Sequence, residues 1–128
     1  MVHRRPINAE DGPPSSGTYA QALSVTGASE LLFISGQIGV HGEGKAPPSF
    51  PAQAKLVWSN IDAQLRAAGM SRDDLVKVTV FLSDRADSEE YRAARDAYLD
   101  GHKVALTCIV TGIFDSDWLM EIEAVAAR

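Results

Sequence analysis

The chain is 128 residues long, enough for one domain with a real core and too short for two. Its net charge of -5, from 12 Lys and Arg against 17 Asp and Glu, excludes a protein that works mainly by neutralising phosphates, so no nucleic-acid partner is expected. One cysteine and three scattered histidines allow neither an internal disulfide nor a zinc site, and no run approaches a membrane span or signal peptide, so the expectations are no metal or cofactor, no membrane partner, and a cytoplasmic setting.

Residues 1–16, with Pro6, Gly12, Pro13 and Pro14, read as an irregular lead-in, and residues 17–128 as the single domain. Arg4 and Arg5, the only basic pair, fall where a mobile tail is expected. A strand is expected over residues 19–25, a turn over 27–30, and the second strand of a hairpin over 31–38. In that second strand Leu31, Phe33 and Ser35 alternate with Leu32, Ile34, Gly36 and Ile38, so neither face is suited to water. Residues 39–51 form a loop, and Pro51 suits the first turn of a helix because its missing N–H would be unpaired there anyway.

Val57, Trp58, Ile61, Leu65 and Ala68 follow helical spacing, with Gly69 placed as the stop. Residues 75–82 alternate Val76, Val78, Val80 and Leu82 against Lys77, Thr79 and Phe81, the pattern of a strand. Asp87, with Glu90 three residues on, gives a capping-box-like start to a second helix through Leu99, its inner face carrying Tyr91, Ala94 and Tyr98. Arg92 and Arg95, beside Glu89 and Asp96, read as an ordinary charged helix surface. Gly101 ends the helix, and residues 104–110 and 118–126 are the last two strands. The pattern ββαβαββ describes an α+β domain with two helices on one face of a mixed sheet. Two helices cannot cover both faces, so self-association is expected.

Glu121 and Glu123 alternate with Met120, Ile122 and Ala124, which puts both carboxylates on one strand face. Taken alone, that is a solvated face. Cys108 shares a strand face with Leu106 and has no neighbouring cation in sequence to lower its pKa, so it reads equally as a small apolar residue or as a site residue. Tyr19 reads as a half-buried aromatic with a wet hydroxyl. Ser35-Gly36 is read as a turn where backbone N–H groups can approach a ligand. His102 and Lys103 precede a strand and could reach a cleft mouth, although a loop pair of this kind is ordinarily solvated.

Five segments, GTYAQ at 17–21, LLFISGQIG at 31–39, NIDAQLRAAG at 60–69, DDLVKVTVFLSD at 73–84 and MEIEAVA at 120–126, together resemble the Rid family (RidA, or YjgF), long labelled L-PSP endoribonuclease. The resemblance spans almost the whole chain. It implies the YjgF/chorismate-mutase-like fold, a homotrimer, and a small-molecule cleft at each subunit interface. It implies Glu121 as the group that positions an attacking water, with Glu123 structural. Tyr19, preceded by Thr18 where the family has proline, and Ser35 and Gly36 would line the cleft. Arg92 aligns with a cleft-facing asparagine.

Val104-Ala105-Leu106-Thr107-Cys108 stands where the family has Pro-Ala-Arg-Ser/Thr, which makes Leu106, Thr107 and Cys108 the expected substrate-binding run. Leu106 takes the place of the arginine that holds a substrate carboxylate. Charged hydrogen bonds contribute about 1.5–3 kcal/mol each, and an unpaired buried charge costs about 3–5 kcal/mol. Small 2-imino acids should therefore bind poorly unless another cation enters, and Arg92 is the one candidate to supply that charge from another direction. The reading that follows is an imine or enamine deaminase-type hydrolase of altered substrate choice. The alternative is a non-catalytic metabolite-binding trimer. Ribonuclease rests on the family's old label alone, against the acidic charge and the lack of a paired-histidine signature.

Overall fold

The computed structural model describes residues 1–128. In chain order it contains β1 (His3–Ile7), β2 (Ala22–Thr26), β3 (Leu31–Ile38), α1 (Phe50–Ala67), β4 (Leu75–Leu82), α2 (Ser88–Leu99), β5 (Ala105–Val110) and β6 (Met120–Ala127). Single 3₁₀ turns, Arg72–Asp74 and Arg85–Asp87, precede β4 and α2. β1 and β2 form an antiparallel ribbon, and the other four strands form a sheet in the order β3-β6-β4-β5. β4 and β5 are parallel, the remaining pairs antiparallel. Parallel neighbours need a long crossover, and α2 supplies it.

Both helices pack on one face of this mixed sheet, as the strand and helix pattern predicts. Val57, Ile61 and Leu65 of α1 meet Val78 and Val80 of β4 and Met120, Ile122 and Ala124 of β6, and nearly all of these are fully buried. The strand alternation decides what remains outside: Glu121 and Glu123 leave the sheet on the face opposite the helices. Ser49 begins α1 by accepting from the Ala52 N–H at 3.3 Å. Gln53, 1% exposed, ties three segments together. Its amide donates to the carbonyls of Pro47 (2.8 Å) and Asp117 (2.9 Å), and its oxygen accepts from the Leu119 N–H (2.9 Å).

Three local expectations change. The first 16 residues are not all irregular, since β1 pairs with β2 from His3↔Thr26 to Ile7↔Ala22. Arg4 fastens that ribbon to the body, donating to Asp74 Oδ1 at 2.9 Å and to the Ala127 carbonyl. β2 and β3 are not a hairpin, because β3 pairs with β6, and the tight approach of residues 35 and 36 is a bulge in β3 rather than a turn. Asp87 forms no side-chain cap. Asp84 instead accepts from the Ala86 N–H at 2.9 Å, and a true capping box sits at Ser71 and Asp74.

Candidate functional site

The cross-strand register sorts the expected site residues onto two faces. Phe81 lies opposite Glu121, and Thr79 lies opposite both Thr107 and Glu123, so Thr107, Glu121 and Glu123 share the open face. Val78 and Val80, buried beneath the helices, lie opposite Leu106 and Cys108, which therefore point to the helix side. Ser35 and Gly36 belong with Glu121, whereas Tyr19 and Arg92 belong with Leu106 and Cys108. One chain does not bring the two groups together.

On the open face, Glu121 lines a hollow of about 300 Å³ with Gly36, Phe81, Gly112, Ile113, Phe114 and Glu123. Its carboxylate lies directly over Gly36. A Cβ at position 36 would stand 1.9 Å from Oε2, so any larger residue there would push the carboxylate out of this place. Desolvation by burial, with the charge of Glu123 adding to it, raises the Glu121 pKa above its ordinary value, and no residue of the chain donates a hydrogen bond to offset this. Thr107 stands apart, its hydroxyl accepting from Lys77 Nζ at 2.8 Å.

The helix-side hollow, about 480 Å³, lies between α2 and β5. Leu82, Leu106, Cys108 and Val110 form one wall, Arg85, Ser88, Arg92 and Arg95 the other, and Tyr19 closes the end. Arg95 is 6% exposed, not the solvated helix surface expected of it. Each nitrogen of its guanidinium has a partner: Nε donates to Asp96 Oδ1 (3.0 Å), Nη1 to the Tyr91 hydroxyl (3.4 Å) and Nη2 to Thr18 Oγ1 (3.2 Å). Burial pushes the Tyr91 phenol up to about 12, so it is neutral at physiological pH. Partial burial likewise raises the Cys108 thiol, against the opposing pull of Tyr91, Arg95 and Arg92. A thiol so held is a poor nucleophile.

Arg85 and Arg95 escaped the sequence reading, though a signal existed. Positions 85, 88, 92 and 95 recur at spacings of three and four, which places them on one helical face. His102 is not at the cleft, since its Nε2 is bonded to the Leu75 carbonyl at 2.7 Å. The largest hollow, about 750 Å³ between α1 and α2, contains none of the expected residues, and its Asp62 is already paired with Arg66 and Tyr98.

An α+β domain whose two helices cover one face of a mixed sheet is the architecture on which comparison with known proteins converges. The family model described as endoribonuclease L-PSP matches residues 9–128, and the chain belongs to that family, also called Rid. A 2-iminobutanoate/2-iminopropanoate deaminase of Escherichia coli is 32% identical over 126 residues, covering 95% of this chain and 96% of the relative. A Rid-family protein of unknown function from Yersinia pestis superposes with a TM-score of 0.85 at 26% identity, over 98% of each chain. The E. coli protein TdcF, solved with bound serine, superposes with a TM-score of 0.72 at 31% identity, over 97% of this chain and 98% of that one. No helix of the chain is long and apolar enough to cross a membrane.

Proposed function

We propose that this protein hydrolyses the C=N bond of an imine, or of the imine tautomer of an enamine, in clefts formed between the subunits of a homotrimer. The observation that carries the reading is the Glu121 carboxylate, unpartnered, seated over Gly36 and with its pKa raised. Such a group takes a proton from water while the water oxygen bonds to the imine carbon and the nitrogen is protonated. The resulting carbinolamine loses ammonia as its hydroxyl proton departs, leaving a carbonyl. Water and imine are consumed, ammonia and a carbonyl compound formed, with no redox change.

Division of the site between two faces supports assembly, because a ligand can meet both Glu121 and the Leu106–Cys108 wall only if they come from different copies. Exposed apolar side chains agree. Phe33 is 72% and Leu31 56% exposed on the strand next to β6, far more than an isolated subunit gains from leaving in water. The relatives' names supply the chemistry of the reading, a deaminase acting on 2-imino acids and a protein that holds serine.

Leu106 favours a second reading, a trimer that binds a metabolite without turnover, since leucine gives a carboxylate nothing to bond. One experiment separates the readings. Imines are generated in situ from a panel of amino acids by an amino-acid oxidase, and ammonia release is followed with and without the protein. The hydrolase reading expects acceleration for at least one imine and its loss in Glu121→Gln. It expects 2-iminopropanoate itself to be hydrolysed scarcely faster than in buffer. Acceleration that survives Glu121→Gln removes Glu121 as the base, and no acceleration for any imine removes the hydrolase and leaves the binding reading.

A further inference from the structure

Facing the apolar Leu106 wall is a strongly cationic one. None of the other four larger hollows is lined by more than one Lys or Arg, whereas this one is lined by Arg85, Arg92 and Arg95. Arg95 is buried, and each of its three nitrogens already has a partner in Asp96, Tyr91 or Thr18, so it is largely committed to the fold. Arg85 and Arg92 are different. Both are exposed at the hollow, and neither side chain makes an ion pair or hydrogen bond within the chain. Two free guanidiniums on one hollow, Arg85 from the 3₁₀ turn and Arg92 from α2, above an apolar floor and beside Tyr19 and Ser88, can act as a forked anion receptor.

We infer that Arg92, with Arg85, holds the carboxylate of the ligand from the α2 side, and that Leu106, Leu82 and Val110 receive a bulky apolar group on the same molecule. The ligand class is a 2-imino or 2-oxo acid with a branched or aromatic side chain. Polarity decides this. A three-carbon acid has no apolar group to set against Leu106, Leu82 and Val110 and leaves that wall wet. A branched or aromatic side chain removes that wall from water at roughly 25 cal/mol per Å², while its carboxylate stays with the arginines. Leu106 is then a specificity residue, not merely a lost cation. The inference rests on the hydrolase reading only for the imine as substrate; the carboxylate receptor stands without turnover.

The test uses stable 2-oxo acids of alanine, leucine and phenylalanine, titrated calorimetrically into the wild-type protein, Arg92→Ala, Arg85→Ala and Leu106→Arg. The leucine or phenylalanine acid should bind at least about tenfold tighter than the alanine acid. Arg92→Ala should weaken it about tenfold or more, Arg85→Ala less, and Leu106→Arg should move the preference toward the alanine acid. Equal or tighter binding of the alanine acid, unchanged affinity in Arg92→Ala, or no binding of any acid overturns the inference. Turnover then separates it from the hydrolase reading. Arginine-dependent binding with no accelerated ammonia release leaves the receptor and removes the hydrolase, whereas leucine-derived imine hydrolysed with an unchanged KM in Arg92→Ala does the reverse.

Discussion

Glu121 carries two consequences that can be measured apart from each other. Its carboxyl is more easily protonated in the folded chain than in the unfolded one, through desolvation first and Glu123 second. The native state then holds the extra proton, so stability falls as pH rises from the ordinary value of 4.5 through the raised one. Glu121→Gln removes that loss. Its Tm at pH 7 should equal or exceed the wild type's, with the difference vanishing below the ordinary carboxylate range, as thermal melts across pH will show. Turnover by the same variant should fall about 10²–10⁴-fold. Gly36→Ala should imitate it without touching the ligand, because the new Cβ displaces the Glu121 carboxylate. A kcat near wild type in Gly36→Ala would mean that the carboxylate works from another position. The Glu-x-Glu alternation made this face legible, but nothing in sequence announced that Gly36 lies beneath Glu121, because that contact depends on the bulge that shifts β3 against β6.

Elements with a strong period were legible, and those without one were not. α1 declares itself through Val57, Trp58, Ile61 and Leu65, and β4 through its alternation, since burial on one face imposes the pattern. β1 has no such face. Its residues His3, Arg4, Arg5, Pro6 and Ile7 are largely exposed, and what holds the strand is its ladder with β2 and the long-range bonds of Arg4 to Asp74 and the Ala127 carbonyl. Arg95 was misread for a related reason: an arginine buried by partners on its own helix and on a distant loop looks in sequence like any surface charge. Gln53 is the element-scale contact most open to test. It joins α1 to the 40–49 loop and to the loop before β6, which carries Phe114 and the rim of the Glu121 hollow. Gln53→Ala leaves a buried N–H and two carbonyls without partners. It should cost at least about 2 kcal/mol by urea denaturation. Hydrogen exchange should rise first over residues 111–119, and a uniform rise would show that the amide serves global packing instead.

At the scale of the molecule, the bare sheet face is the feature that needs explaining. Phe33 and Phe114 stand 72% and 97% exposed, an arrangement that a lone subunit tolerates badly. Light scattering should find a particle close to three times the 13.7 kDa chain mass. Phe33→Asp, at an exposed position with no core contact to lose, should give a monomer of unchanged circular dichroism and no turnover. A wild-type monomer would remove the intersubunit cleft, and an active Phe33→Asp monomer would show that one chain suffices. Composition and element order made the bare face visible in advance, because two helices were too few for two faces. What covers it was not visible, since no pattern within one chain records the geometry of a second copy.

If the proposed cleft joins Glu121 of one copy to Arg92 of the next, the opposed placement of the two residues makes the halves of the site genetically separable. A subunit that lacks the carboxylate would still donate an intact receptor, and one that lacks the receptor would still donate an intact carboxylate. Glu121→Gln and Arg92→Ala chains, each impaired alone, should therefore complement when unfolded together and reassembled. Random mixing in a cyclic trimer pairs two good halves at about a quarter of the interfaces. Recovered activity near that fraction would make the protein obligately cooperative in its construction: every working site is a statement about two neighbours, and a damaged copy can be rescued by a differently damaged one.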